Sequence, residues 1–325
     1  PLQHIVRQMV DEKRFFASPI DFGLVTVEYP SLQPLEVTKK QIPAGKVADY
    51  LLASSAVFPA FKPMQIDGSF YIDGGYHDNI PIRLALQMGA TEIVAVDLAG
   101  PGQVPKHKNP HMPIRYIRSY WDLGPLLVFD PVHAKRNIRL GYLDTLKAYG
   151  ELEGMAYAFR PGELQGNTRH VEQAAERVLY WLFPEFSGQG KLFDSFTRRN
   201  LIKTLKDHRC DSLNMGSAIL AAAELAGEIL RLSPLEIYTF YEFNRALLHK
   251  LEEHMQPLPW ENDANGLLDL NVKELVSKLS GLKRETVLGY LVRYIHFAVS
   301  QQNDILFPMQ AVATFLPKEF LAAAY

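Results

Sequence analysis

The chain is poor in cysteine, in any excess of one charge and in long apolar runs, and each shortage removes a class of protein. A single cysteine, Cys210, stands among 325 residues. It can form neither an intrachain disulfide nor a cysteine zinc site, so packing must hold the fold, and the expected setting is a reducing one, the cytoplasm. Lys and Arg number 34 against 36 Asp and Glu, a formal charge of −2. That balance excludes the basic surface on which nucleic-acid binding depends. No stretch approaches the roughly 18 uninterrupted apolar residues of a membrane span. The most apolar run, Met215 to Leu230, is broken by Glu224 and Glu228, which at helical spacing predicts an amphipathic helix of a soluble protein with the glutamates on its polar face.

Motifs are missing as well. Neither Gly-x4-Gly-Lys-Ser/Thr nor Gly-x-Gly-x-x-Gly occurs, which leaves nucleotide-dependent enzymes without support. His107 and His111 in PKHKNPHMP have no cysteine or spaced carboxylate beside them and read as a solvated loop. His249 and His254, five apart on a charged helix, read as surface residues. No metal and no cofactor is expected. The opening PLQHIVRQMVDEKR lacks the basic and apolar regions of a signal peptide. It begins with Pro1 rather than Met, and the expectation is a piece of a longer gene product. There is no internal repeat or low-complexity tract.

What is present is an ordinary globular composition, 47% hydrophobic and 22% charged, long enough for about two domains. Residues 1–160 alternate strand-like and helix-like patterns, an α/β layer architecture. Phe22–Glu28 and Glu92–Leu98 are nearly continuously apolar, as strands covered on both faces are; Ile114–Ile117 is a weaker candidate. A helix is predicted from about Lys46 to Ala53, a hairpin over Ile66–Asp73 turned at Asp67-Gly68-Ser69, and a helix opened by Pro81 that ends near Gly89. Asp130-Pro131 caps another, with the stripe Ile138, Tyr142, Leu146, Tyr149 and a stop at Gly150.

Arg160–Thr168 is the best boundary, and residues 161–325 read as an all-α domain. Within it Ser233-Pro234-Leu235-Glu236 and Asn271 with Glu274 look like helix starts. Met255–Gly266 reads as a loop. Tyr238, Phe240, Tyr241 and Phe243 suit helix packing, with one side able to line an acyl channel.

The densest cluster of unusual residues is ASSAVFPAFKPMQIDGSFYIDGGYHDN, residues 53–79. Asp73-Gly74-Gly75 follows a short strand, which puts the carboxylate at a strand end, with two glycines allowing a sharp turn and a close approach by another segment. That arrangement suits a general base. The tripeptide alone equally fits a plain turn. Asp97, after the second apolar strand, could be a second site carboxylate or a strand-end cap.

Taken whole, the cluster resembles the patatin-like phospholipase family. The matching elements, in order, are Ala53-Ser54-Ser55-Ala56, Pro59, Phe61-Lys62-Pro63, the hairpin, Asp73-Gly74-Gly75 and Asn79-Ile80-Pro81. The resemblance extends from Ser18–Val27 through the strand at Glu92 to the helix Pro131–Tyr149, about the first half of the chain. It implies the C-terminal portion of a patatin-like layered sheet flanked by helices over residues 1–160, followed by the all-α domain. It also implies a serine–aspartate dyad in which Asp73 takes the proton of an attacking serine, with Gly74, Gly75 and Asn79 supporting the catalytic turn.

The sequence departs from the family at the nucleophile. No Ser has Gly at both minus two and plus two: Ser69, Ser187 and Ser217 each fail, and no Gly-rich oxyanion loop appears. What is lacking amounts to about 100 residues, three βαβ units of about 30 each. Two readings stand: part of a lipid acyl hydrolase whose serine lies elsewhere, or a non-catalytic lipid-binding or interaction module on the same scaffold. The expected partners are a lipid or acyl ester, the missing N-terminal segment or a second copy, and transiently a membrane surface.

Overall fold

The uninterrupted apolar run after Phe22 becomes the central strand of a sheet. In the computed structural model, which describes residues 2–105, 113–128, 130–163, 195–208, 215–256, 272–301 and 312–325, β1 (Gly23–Tyr29) lies between β2 (Pro34–Thr38) and β4 (Ser69–Asp73), with β3 (Met64–Ile66) outside β4. All three pairings are antiparallel. Leu24, Val25, Thr26 and Val27 are buried in succession, so β1 is covered on both faces as its composition predicts. Leu24 and its cross-strand partner Val37 pack with Ile42 and Val47, the last from α3 (Val47–Ser54), whose helix lies against β1, β3 and β4. The hairpin closes at the Ile66↔Ser69 pair, with Asp67 at φ 49° and Gly68 at φ 93°, the left-handed pair that a two-residue turn requires. Strand β2 was not evident from the sequence, because it carries only Leu35 and Val37 as apolar residues and opens on a proline, tolerated here at the start of an edge strand.

The second apolar strand behaves differently. β5 (Ile93–Asp97) pairs in parallel with β6 (Ile114–Arg118) in a separate two-stranded sheet. The layered sheet expected over residues 1–160 thus consists, among the described residues, of two separate sheets, β2-β1-β4-β3 and β5-β6, and both hydrogen-bonding sides of β1 are taken by β2 and β4. The expectation of two covered faces is corrected too. Ile93 and Ala95 are buried with Ile80 and Ile82, at and beside the start of α4 (Ile82–Gln87), whereas Val94 and Val96 are 46% and 58% exposed. Only one face of β5 has a layer on it among the described residues.

The chain divides into two compact units, Pro1–Phe129 and Asp130–Tyr325. Helix α5 (Pro131–Ala148) falls in the later unit because it packs against β7 (Ala158–Phe159). Its start is as predicted, with the Asp130 carboxylate accepting the His133 N–H at 2.8 Å. Its buried face is not: Ile138, Tyr142 and Tyr149 are exposed, and Leu140 and Leu143 are buried instead. Leu146 belongs to both periodicities, and contact with Leu152, Ala158 and Ile237 selects between them.

Strand β8 (Ile237–Tyr238) pairs in parallel with β7. That pairing holds residues 237–238 extended, so the predicted helix start at Ser233 is a turn, with the Ser233 hydroxyl accepting the Leu235 N–H at 3.3 Å. The helix begins instead at Phe240, capped by a reciprocal Thr239–Glu242 box. Phe240 and Phe243 are buried, Phe243 meeting the rings of Tyr157 and Phe159 at 5.0 and 5.1 Å, while Tyr241 is exposed.

The Met215–Ile229 helix forms where the apolar run predicted it, but Glu224 is not on a polar face. It is fully buried, and its Oε1 accepts the Met155 and Tyr157 N–H groups at 2.8 and 3.0 Å while Oε2 meets His208 Nε2 at 3.1 Å. Glu228 does lie toward the surface, 3.5 Å from Arg284 and 3.7 Å from Lys318. His107, His111, Cys210, Asn271, the 164–168 part of the expected boundary and the 257–266 part of the expected loop lie outside the described residues. Among the described residues no helix is long and apolar enough to cross a membrane.

Candidate functional site

Strand β4 delivers Asp73 as its last residue, opposite Thr26 of β1. The pair is locked by the buried Thr26 hydroxyl, which donates to the Ile72 carbonyl at 2.7 Å. From the other side the Asp73 N–H donates to the Ala56 carbonyl at 3.0 Å, tying the strand end to the segment that follows α3. The chain then makes one 3-10 turn, Gly74–Tyr76, capped by the Asp73 side chain, whose Oδ1 accepts the Gly75 N–H at 2.7 Å.

The glycines are there for space. A β-carbon on Gly74 would sit 2.2 Å from the Val25 carbonyl oxygen, so the turn lies directly on the β1 backbone. One on Gly75 would lie 2.9 Å from Asn79 Oδ1 and 3.0 Å from Asp73 Oδ1, between the two polar side chains of the site. The His77 and Asp78 N–H groups both donate to the Gly74 carbonyl at 2.9 Å. Tyr76 donates its hydroxyl to the Phe58 carbonyl.

Two further residues belong to this region. Asp78, which the sequence reading passed over, is buried and accepts the Ile80 N–H at 3.1 Å; the signal was an Asp shortly before a helix-opening proline, a pattern that favours such local turns. Asp97 stands at the end of β5 with its Oδ1 on the Ala99 N–H at 2.7 Å and its Oδ2 at 3.4 Å from Arg118.

Asp73, Gly75 and Asn79 line one cavity of about 540 Å³ together with Ser55, Asp97 and the apolar side chains of Val57, Phe61, Val96, Leu98, Leu126 and Leu127. A second hollow of about 420 Å³ reaches the same turn from the side of Val25, Ser54 and Asp78. Asp73, Gly74, Gly75 and Asn79 are thus adjacent in space as well as in sequence. The serines that line these two cavities have engaged hydroxyls: Ser54 donates to the Val25 carbonyl at 2.7 Å and Ser55 to the Leu51 carbonyl at 2.9 Å.

Burial pushes the Asp73 carboxyl above its ordinary value, and the Gly75 N–H, which favours the ionised form, opposes that only in part. A carboxylate in this position is a stronger base than one in water, with one edge oriented by the backbone and an apolar cavity beside it. Among the described residues no group of three or more His, Cys, Asp or Glu is arranged to hold a metal ion.

No solved structure matches the chain. Over residues 1–86, which hold the four-stranded sheet and the Asp73 turn, the sequence matches the model of the patatin-like phospholipase family, a family of lipid acyl hydrolases.

Proposed function

We propose that the chain supplies the base half of a serine–aspartate dyad for the hydrolysis of lipid acyl esters, with Asp73 as the general base. The observation that carries this reading is the setting of Asp73: a carboxylate made more basic by burial, oriented by Gly75 and lining a mainly apolar cavity. An unperturbed carboxylate is a weak base, so a raised value and close alignment are what the chemistry needs.

In the proposed reaction Asp73 takes the proton of a serine hydroxyl as the serine oxygen bonds to the ester carbonyl carbon. The carbonyl π-bond opens to an oxyanion held by backbone N–H donors. Collapse of that intermediate expels the alcohol, which leaves with the proton from Asp73. Water then repeats the sequence on the acyl-serine and releases the fatty acid, returning the proton to the serine.

The serine and the oxyanion donors are assigned to polypeptide outside these 325 residues, an N-terminal segment, because no Gly-x-Ser-x-Gly is present. Incubated alone with an activated ester and a fluorophosphonate probe, the chain is expected to give no turnover and no labelled serine. A stoichiometric label would place the nucleophile here after all.

In a polypeptide that includes the elbow serine, Asp73→Asn is expected to lower hydrolysis of a short-chain ester by about 10²–10⁴-fold, the usual worth of a general base, with little change in Tm. Retention of more than about half the activity would remove Asp73 from the role. The second reading, a non-catalytic lipid-binding module, draws on the apolar lining of the cavity. It predicts lipid binding that Asp73→Asn leaves intact and no hydrolysis in any combination.

A further inference from the structure

Asp97 lies at the end of β5, in a different sheet from Asp73, yet the loop that follows it forms part of the same cavity wall. Ala99 adopts φ +53°, a left-handed conformation that a residue with a β-carbon seldom takes without local support. The support is Asp97, whose Oδ1 accepts the Ala99 N–H at 2.7 Å. Arg118, its register partner on β6, holds the other carboxylate oxygen at 3.4 Å.

The loop so set runs on to Gln103, which joins the Asp73 turn by two backbone hydrogen bonds. Gln103 N–H donates to the Gly75 carbonyl at 2.9 Å, and its carbonyl accepts the Asn79 N–H at 2.7 Å. The seam is tight: a β-carbon on Gly102 would come within 2.8 Å of the Gly75 oxygen and 3.0 Å of Asn79 Cγ. Gly75 is therefore held by its carbonyl to the loop while its N–H orients Asp73. We propose that Asp97 is a positioning residue for the Asp73 turn, acting through the 98–103 loop whose left-handed entry it fixes. Its catalytic meaning rests on the role proposed for Asp73, but its effect on geometry is measurable without substrate.

The test is amide hydrogen exchange by NMR on the full chain. Asp97→Ala should speed exchange at Gly75, Asn79 and Gln103 by about tenfold or more, as local opening does, while the amides of the β1–β4 ladder stay as protected as before. Asp97→Asn keeps an oxygen for Ala99 and should stay near the parent. Adding Ala99→Gly to Asp97→Ala should restore protection, since glycine takes positive φ without support, and it does so with no carboxylate at 97. If Asp97→Ala fails to fold, rescue by Ala99→Gly is read from recovery of a folded chain.

The proposal is overturned if Asp97→Ala leaves the three amides unchanged. It is overturned equally if Asp97→Asn behaves like Asp97→Ala and Ala99→Gly restores nothing, which would mean that charge alone matters. Loss of protection throughout the ladder in an Asp97→Ala chain that still folds, or a double variant that also fails to fold, would make Asp97 a general structural residue and end the idea.

Discussion

Two carboxylates, one in each compact unit, lie away from bulk water and are treated in opposite ways. Glu224 is fully buried and gives one oxygen to two backbone N–H groups and the other to His208. Asp73 is only partly buried, has one oxygen on a backbone N–H and borders a cavity. Both have the helix or strand they sit on defined by apolar neighbours. The difference is in the satisfaction of their lone pairs. A carboxylate whose acceptor sites are filled by the fold is a strut, whereas one left with an oxygen toward a cavity is available for a proton. A buried acid is therefore not by itself a sign of function.

The largest effect is expected at Glu224. Glu224→Ala removes the shared acceptor from Met155, Tyr157 and His208 and should cost about 3–5 kcal/mol, the range for removing one partner of a buried pair, read as a lowered urea midpoint. Glu224→Gln, which keeps a carbonyl oxygen of similar reach, should cost clearly less. A loss below about 1 kcal/mol for the alanine variant would deny the strut role.

Next in size is the turn itself. Gly74→Ala drives a β-carbon into the Val25 carbonyl and should cost about 1–3 kcal/mol, as overpacking does, and shift the Asp73 resonances. Gly141→Ala is its counterpart in the second unit: the position is in the middle of α5 with open space around it, and the change should stabilise by about 0.5–1 kcal/mol. Thermal melts of the two variants should move in opposite directions, and movement in the same direction would contradict the close approach at Gly74.

The smallest effect concerns Asp73 and pH. Its folded-state value lies above the ordinary 3.8, so the folded chain binds that proton more tightly than the unfolded one. The contribution to stability is lost as pH rises through the window between the two values, and the cost stays in full above it. Asp73→Asn, which cannot ionise but still offers an oxygen to Gly75, should raise Tm slightly at pH 7. The gain should fade as pH drops toward 3.8. A gain that grew on acidification would reverse the sign assigned to burial at this site.

Much of the site was legible because its signals are local. The Asp67-Gly68 turn, the strand that ends at Asp73 and the crowding at Gly74 follow from backbone rules that act over a few residues, and the structure bears these out. The adjacency of Asn79 needed only the short turn between. Other features depended on distant partners. The stripe of α5 was misread because Leu146 fits two faces, and contacts from β7 and β8 decide between them. Glu224 was misplaced for the same reason: spacing alone places a glutamate on a polar face, and the donors that bury it come from residues 155, 157 and 208.

By itself the sequence determined the α/β character of the first unit, the position of the Asp73 turn and the family likeness of residues 1–86, since all rest on periodicity, turn chemistry and motif order within short spans. Only folding in three dimensions set β1 and β5 in separate sheets and left one face of β5 without a layer among the described residues. It alone brought the loop after Asp97 against Gly75. Those outcomes depend on which hydrogen-bonding edges are already taken and which backbone groups approach across tens of residues, and no local pattern encodes either.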